Sequence, residues 1–408
     1  MALEVLAVQV EDSSMRYDFD QYIDRRGSGA LKFDALEQWY GDSSLLPMWV
    51  ADMDFATPDF IVDALKRRLE HPIFGYTVEP ERYRAAICNW VLQRHQWSIE
   101  PQWISYIPGI VKGIAMAVNA LLKPGDKIII QPPVYHPFRN VAQHCGCTVV
   151  ENPLVELADG GYEMDLDHLD SVAQGCKMLI LANPHNPVGI LWSRETLARV
   201  AEICSKHGVV VISDEIHSDM ALWGAKHIPF ASVSEAAAEC SITFGAPSKT
   251  FNIAGIVASY AIVPNDALRE KFFGWMEGNE LNHPDIFAPI ATIAAFECGE
   301  PWRKQMVEYI EGNVVLVESF LKEHIPQIKA IRPEASFLVW LDCRGLGIPH
   351  NEVVSLFTNK AKLALNEGAM FGCQGSGFMR LNVGTTRANL LSALERLKDA
   401  VESRVENK

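Results

Sequence analysis

Four stretches of the chain carry residue types suited to chemistry on a small ligand with an anionic end. Ser248-Lys249-Thr250 lies just beyond an apolar, β-rich run, Ser241–Phe244. In α/β sheets, sites gather outside the carboxyl ends of strands, which puts Lys249 on the functional rim; a lone lysine there is more often plain solvated surface. Val211-Ile212-Ser213-Asp214 closes a second run with a carboxylate. A carboxylate at the end of a buried strand needs a partner to offset its desolvation. A protonated ring nitrogen is one such partner, and a helix N-cap or a metal-ligand role is as open for Asp214 taken alone. Asn183-Pro184-His185-Asn186-Pro187-Val188-Gly189 is dense in turn residues. It either positions an asparagine amide as a donor or is ordinary turn chemistry. Pro108-Gly109-Ile110-Val111 opens a helical pattern. Gly109 there lets a phosphate approach the first free N–H groups and the positive end of the helix dipole. One glycine before a helix is a weak signal, and this is no nucleotide-binding fingerprint.

The elements that must hold these residues alternate. Candidate strands are Lys127–Gln131, Thr148–Val150, Lys177–Ala182, Val209–Ser213, Ser241–Phe244 and Ile256–Val263, with helical patterns such as Gly109–Leu122 and Arg194–His207 between them. Val209-Val210-Val211-Ile212 is apolar on successive residues, as expected for a parallel strand covered on both faces. From Pro289 the pattern becomes one long helix to about Glu323, then a β-rich segment Ala335–Leu341, a helix near Asn351–Leu363, a strand Phe378–Val383 and a closing helix Arg387–Val405. The expectation is an α/β fold in which residues 55–288 form a large domain with a mainly parallel sheet between helices. Residues 1–54 and 289–408 would supply a smaller α+β domain.

The chain has 408 residues, 49% of them hydrophobic, and a formal charge of −15. That length suits two domains with a sizeable core. An acidic surface argues against nucleic acid and anionic membrane as partners. The nine cysteines show no CxxC and no Cys/His cluster, so no metal site is expected and the pattern fits a reduced, cytoplasmic protein. Met1–Val10 is apolar without a basic start or a small-residue cleavage site. Neither a signal peptide nor a membrane span is expected, and residues 1–14 read as a loosely ordered extension ahead of Met15.

Together, and in this chain order, the lysine, the carboxylate, the polar turn and the anion cradle resemble the fold-type I pyridoxal-phosphate (PLP) enzymes, the aspartate-aminotransferase superfamily. A narrower resemblance is to the MalY/PatB group of cystathionine β-lyase-type carbon–sulfur lyases. It rests on Pro47-Met48-Trp49-Val50-Ala51-Asp52-Met53-Asp54-Phe55, Phe74-Gly75-Tyr76-Thr77, Pro132-Pro133-Val134-Tyr135, Asp214-Glu215-Ile216-His217-Ser218-Asp219 and Ser248-Lys249-Thr250-Phe251-Asn252-Ile253-Ala254-Gly255. The resemblance covers nearly the whole chain.

It implies that Lys249 carries the cofactor as a Schiff base, that Asp214 pairs with the ring nitrogen and that Asn186 donates to the phenolic oxygen. Tyr135 would stack on the ring and assist at the leaving group. Gly109, Ile110 and Val111 would hold the phosphate through their backbone, and Ser248 through its hydroxyl. Tyr76 would reach the phosphate of a neighbouring subunit, which implies a homodimer, and Arg380 would fork onto the substrate carboxylate. Plain packing, a surface turn and a structural ion pair are the alternatives for Tyr135, Tyr76 and Arg380. Two departures from the aminotransferase pattern stand out: His217 where many transaminases have a tyrosine, and Val257 where they have a phosphate-binding arginine. His217 either touches the cofactor or is a buried structural histidine. The implied reaction is α,β-elimination from L-cystathionine, L-cysteine or another S-substituted cysteine. An aminotransferase and a regulatory interaction protein are the competing readings.

Overall fold

The computed structural model describes residues 15–406; the expectation for residues 1–14 lies outside them. Seven strands form the main sheet. In chain order they are β1 (Ile104–Ile107), β2 (Lys127–Ile130), β3 (Thr148–Glu151), β4 (Met178–Ala182), β5 (Val210–Asp214), β6 (Ser241–Gly245) and β7 (Ser259–Ile262). Their order across the sheet is β1-β7-β6-β5-β4-β2-β3. Only β7 opposes the rest, antiparallel to both β1 and β6. The strands feeding the turns at Gly109, Tyr135, Asn186, Asp214 and Lys249 therefore all run one way, and all five turns emerge at one edge.

Both faces of the central strands are covered by apolar residues. Leu179, Leu181 and Val211 pack into one apolar cluster, while Met178, Ile180 and Ile212 pack into another on the opposite side. That is the period-2 reading of a continuous apolar strand between two helical layers. The helices carry their own boundaries. Arg194–His207 starts at Ser193, whose hydroxyl accepts from the Thr196 N–H, and ends at Gly208 with φ of 67°, the cap pair expected from side-chain chemistry and a free Cβ position.

A second sheet of four strands has the order β8 (Lys329–Ile331), β9 (Leu338–Asp342), β11 (Phe378–Asn382), β10 (Asn366–Glu367). In its register Arg380 sits opposite Trp340 on one side and Asn366 on the other. The N-terminal segment joins this part of the molecule: Leu46–Pro47 pairs in parallel with Leu363–Ala364. No helix among the described residues is long and apolar enough to cross a membrane.

Three expectations need correction. The long helix from Pro289 is two helices, Phe287–Cys298 and Glu300–His324. They break at Gly299, where an added Cβ would lie 2.1 Å from the Ala295 carbonyl oxygen. Pro301, which has no N–H, sits in the first turn of the new helix rather than in a continued one. The helix expected to reach Leu363 is regular only over His350–Ser355 and widens into a π-turn at Leu356–Lys360. Lys362, at φ of 57°, then turns the chain into the short strand. Finally, β7 begins at Ser259 rather than Ile256, because Val257 takes a left-handed φ of 56°.

Candidate active site

The strand ends deliver a cluster of partly satisfied polar groups. Asp214, buried, accepts one hydrogen bond, from the Ile216 N–H at 3.2 Å. Burial drives its carboxyl up to about 7, opposed by that N–H and by the Lys249 charge. The Lys249 amine donates to the Ala51 carbonyl oxygen at 2.6 Å. Desolvation pulls the amine down to about 8, with Asp52 holding it up, Arg380 pushing it down and Asp214 holding it up more weakly. An amine and an acid displaced toward each other across neutrality are what proton-transfer chemistry requires.

Arg380 rises into the cluster from the middle of the second sheet. Its side chain is 4% exposed. One terminal nitrogen donates to Asn186 Oδ1 at 3.0 Å; the other donates to Asn366 Oδ1 at 2.7 Å and to the Trp49 carbonyl at 3.2 Å. Its Nε has no partner among the described residues, and the Phe371 ring lies 5.0 Å from the guanidinium carbon. Burial lowers its pKa to about 10.

Asn186 thus spends its amide oxygen on Arg380, which leaves its NH2 as the available donor. The Tyr135 N–H donates to the Asn186 carbonyl at 3.1 Å, so these two neighbours are fixed to each other. Tyr135 is half-buried, and its phenol titrates high, chiefly from desolvation, with Arg380 opposing and Asp214 adding to the rise. His217 is buried, its Nδ1 is unpaired among the described residues, and its ring lies 6.1 Å from that of Phe337. Burial, with Lys249 and Arg380 nearby, pushes its pKa down to about 3, so it is neutral.

At the next strand end, Gly109 has φ of 113° and caps the helix Ile110–Leu121, which has no side-chain cap. The first intrahelical bond here runs from the Gly113 N–H to the Gly109 carbonyl, leaving the N–H groups of Ile110 and Val111 outside the ladder. A Cβ at Gly109 would come within 3.7 Å of Val257. Ser248 is buried, directly before Lys249. Tyr76 is not part of this cluster. It stands fully exposed in an irregular stretch, residues 71–78, that also bares Ile73, Phe74 and Val78.

Sequence reasoning missed the residues that aim this cluster. Asn366 carries no motif, and its bond to Arg380 follows only from strand register. Asn252 clamps the 49–55 loop with three bonds, accepting from the Met53 N–H and donating to the Met53 and Phe55 carbonyls. Asn382 donates to the Val50 and Asp52 carbonyls. The loop string and the Asn252 motif were both visible; that one exists to hold the other was not.

A mainly parallel sheet ending in this lysine and carboxylate, faced by an arginine from a second sheet, defines the aspartate-aminotransferase-like class of folds. A family model described as aminotransferase class I and II matches residues 45–397, and the chain belongs to that family. It is 43% identical to cystathionine beta-lyase PatB of Bacillus subtilis (strain 168), over 94% of this chain and 100% of that one. Protein MalY of Escherichia coli (strain K12) is 32% identical over 95% and 99% of the two chains. Among solved structures, cystalysin from Treponema denticola, which contains a pyridoxal 5'-phosphate cofactor, superposes with a TM-score of 0.92 at 34% identity, covering 96% of this chain and 100% of that one.

Proposed function

We propose that this chain is a PLP-dependent carbon–sulfur β-lyase that eliminates a thiol from L-cystathionine, L-cysteine or another S-substituted cysteine, leaving pyruvate and ammonia. The observation that carries the reading is a half-buried lysine set between a buried carboxylate with a single donor and a buried arginine with an unpaired Nε.

The residues fit the cofactor. Among the described residues Asp214 has no cation beside it other than the Lys249 amine, and a protonated ring nitrogen would satisfy it. The Gly109 cradle, with the N–H groups of Ile110 and Val111 and the Ser248 hydroxyl, suits the phosphate. Asn186, Tyr135 and His217 remain for the ring. When bound and held protonated by Asp214, PLP supplies an electron sink for charge developing at the substrate's α-carbon.

The chain's own part is positioning and proton transfer. Arg380 takes the α-carboxylate, and its bonds to Asn366, Asn186 and Trp49 hold its plane before substrate arrives. Lys249, the residue that would carry the cofactor, is placed to accept the α-proton; in the cofactor-free chain desolvation already brings its amine down to about 8. Tyr135, fixed beside Asn186 by its backbone N–H, would stack on the ring and assist at the leaving group. The apolar residues bared around Tyr76 need a cover, which a second copy would supply while bringing Tyr76 to its phosphate. The active form on this reading is a cytoplasmic homodimer.

Incubation with L-cystathionine and no keto acid tests the reaction. Pyruvate should accumulate over many turnovers. Product that forms only when a keto acid is added would make the chain an aminotransferase instead.

A further inference from the structure

The 49–55 loop is anchored by a cluster of four charges that none of the chemistry above uses. Arg25 forks onto Asp52 at 2.8 and 2.7 Å and reaches Asp54 at 2.8 Å. Lys32, fully buried, closes the cluster on the other Asp54 oxygen at 3.1 Å. Two cations thus balance two carboxylates, in surroundings where Asp52 is 19% and Asp54 6% exposed. Burying four charges is costly unless each is paired, and a core needing only stability would use apolar residues here. The placement explains the choice. Ala51, next to Asp52, supplies the carbonyl that receives the Lys249 amine, and Trp49 supplies one that receives Arg380.

We propose that Arg25 is a positioning residue for the reaction: by clamping Asp52 it fixes both the loop carbonyls and the negative charge that Lys249 faces. The proposal rests on Lys249 being the amine that bears the cofactor. Four other groups face Lys249: Asp214 and His217 from the ends of the main sheet, Arg380 from the second sheet and Asp52 from the loop, with the Tyr135 phenol near Asp214 and Arg380. Among the carboxylates, Asp52 acts on it more strongly than Asp214 does. Removing the Arg25 charge leaves Asp52 unneutralised, which favours the protonated, cationic state at Lys249. Removing the Asp52 charge does the reverse. A clamp that serves folding alone predicts no such opposition.

The test is a pH titration of the visible absorption of the cofactor-loaded protein, with KM and kcat for L-cystathionine measured beside it. Arg25→Gln should raise the midpoint and Asp52→Asn should lower it, each by roughly 0.5 pH unit or more. Arg25→Gln should also raise KM, through the loosened Trp49 contact to Arg380. Arg25→Lys should restore the midpoint, and Arg332→Gln, which breaks a surface pair with Glu318, should leave it where it is. If Arg25→Gln does not fold, the Asp52→Asn midpoint decides alone. Midpoints that stay fixed, or that move in the same direction in both charge variants, overturn the proposal. If the wild-type protein shows no visible band, the cofactor reading has failed. The clamp is then judged by the pH dependence of Lys249 acylation by acetic anhydride, where the same opposed shifts support it and unmoved rates overturn it.

Discussion

The two walls of the site are built on opposite principles. On the sheet side, Asp214 accepts one hydrogen bond, Lys249 donates one, and His217 keeps an unpaired ring nitrogen. On the loop side, Asn252, Asn382, Arg25, Lys32 and Arg380 saturate residues 49–55 with bonds from distant parts of the chain. Buried polar groups are normally paired. A wall that leaves them short is therefore waiting for a ligand, whereas a wall that completes them is a mould that holds the geometry. Chemistry and stability should separate along the same line.

Replacing Lys249 by Ala should show the largest effect. Pyruvate release from L-cystathionine should fall by at least about 1,000-fold, while the melting temperature of the cofactor-free protein stays level or rises, because a desolvated amine has been removed. A large loss of stability in that variant would break the contrast. Asn252→Ala comes next and should act in the opposite sense. It removes three bonds and puts alanine at a φ of 55°, a loss of about 2–4 kcal/mol in chemical denaturation. A variant with unchanged unfolding midpoint would show that the loop is not held as described.

The smallest effect is also the most specific. In cofactor-free protein Asp214 titrates at about 7 against an ordinary 3.8. Between those values the unfolded chain has released a proton that the folded chain retains, so stability falls as pH rises through this window. Below it both states are protonated and the penalty is gone. Asp214→Asn should therefore melt higher than wild type by a few degrees at pH 7.5, with the gap closing toward pH 4. A gap that is constant with pH would remove Asp214 as an under-satisfied acid.

The sheet-side wall is legible in the amino-acid sequence, and the loop-side wall largely is not. Lys249, Asn186 and Gly109 each follow a strand and Asp214 ends one, and strand ends can be found from runs of apolar residues bounded by turn chemistry. Arg380 stands in a strand that its neighbours made visible. By contrast, Arg25 and Lys32 meet Asp52 and Asp54 across 22 to 29 residues, a separation with no helical or strand period to betray it. Strand β1, Ile104-Ser105-Tyr106-Ile107, was not anticipated: four residues are too few to display alternation, and Ser105 is buried with the rest. The break at Gly299 was hidden because helix-forming residues continue on both sides, and only the Ala295 carbonyl and the Phe251 ring, remote in sequence or folded back, make it necessary.

Asn186 touches both halves of the proposed chemistry, with its oxygen committed to Arg380 and its amide hydrogens left for PLP. On that reading, the residue acts as a thermodynamic link, and what tightens one ligand tightens the other by the same factor. A molecule carrying a carboxylate would then slow the escape of the coenzyme, and an enzyme emptied of coenzyme would be a poor judge of amino acids.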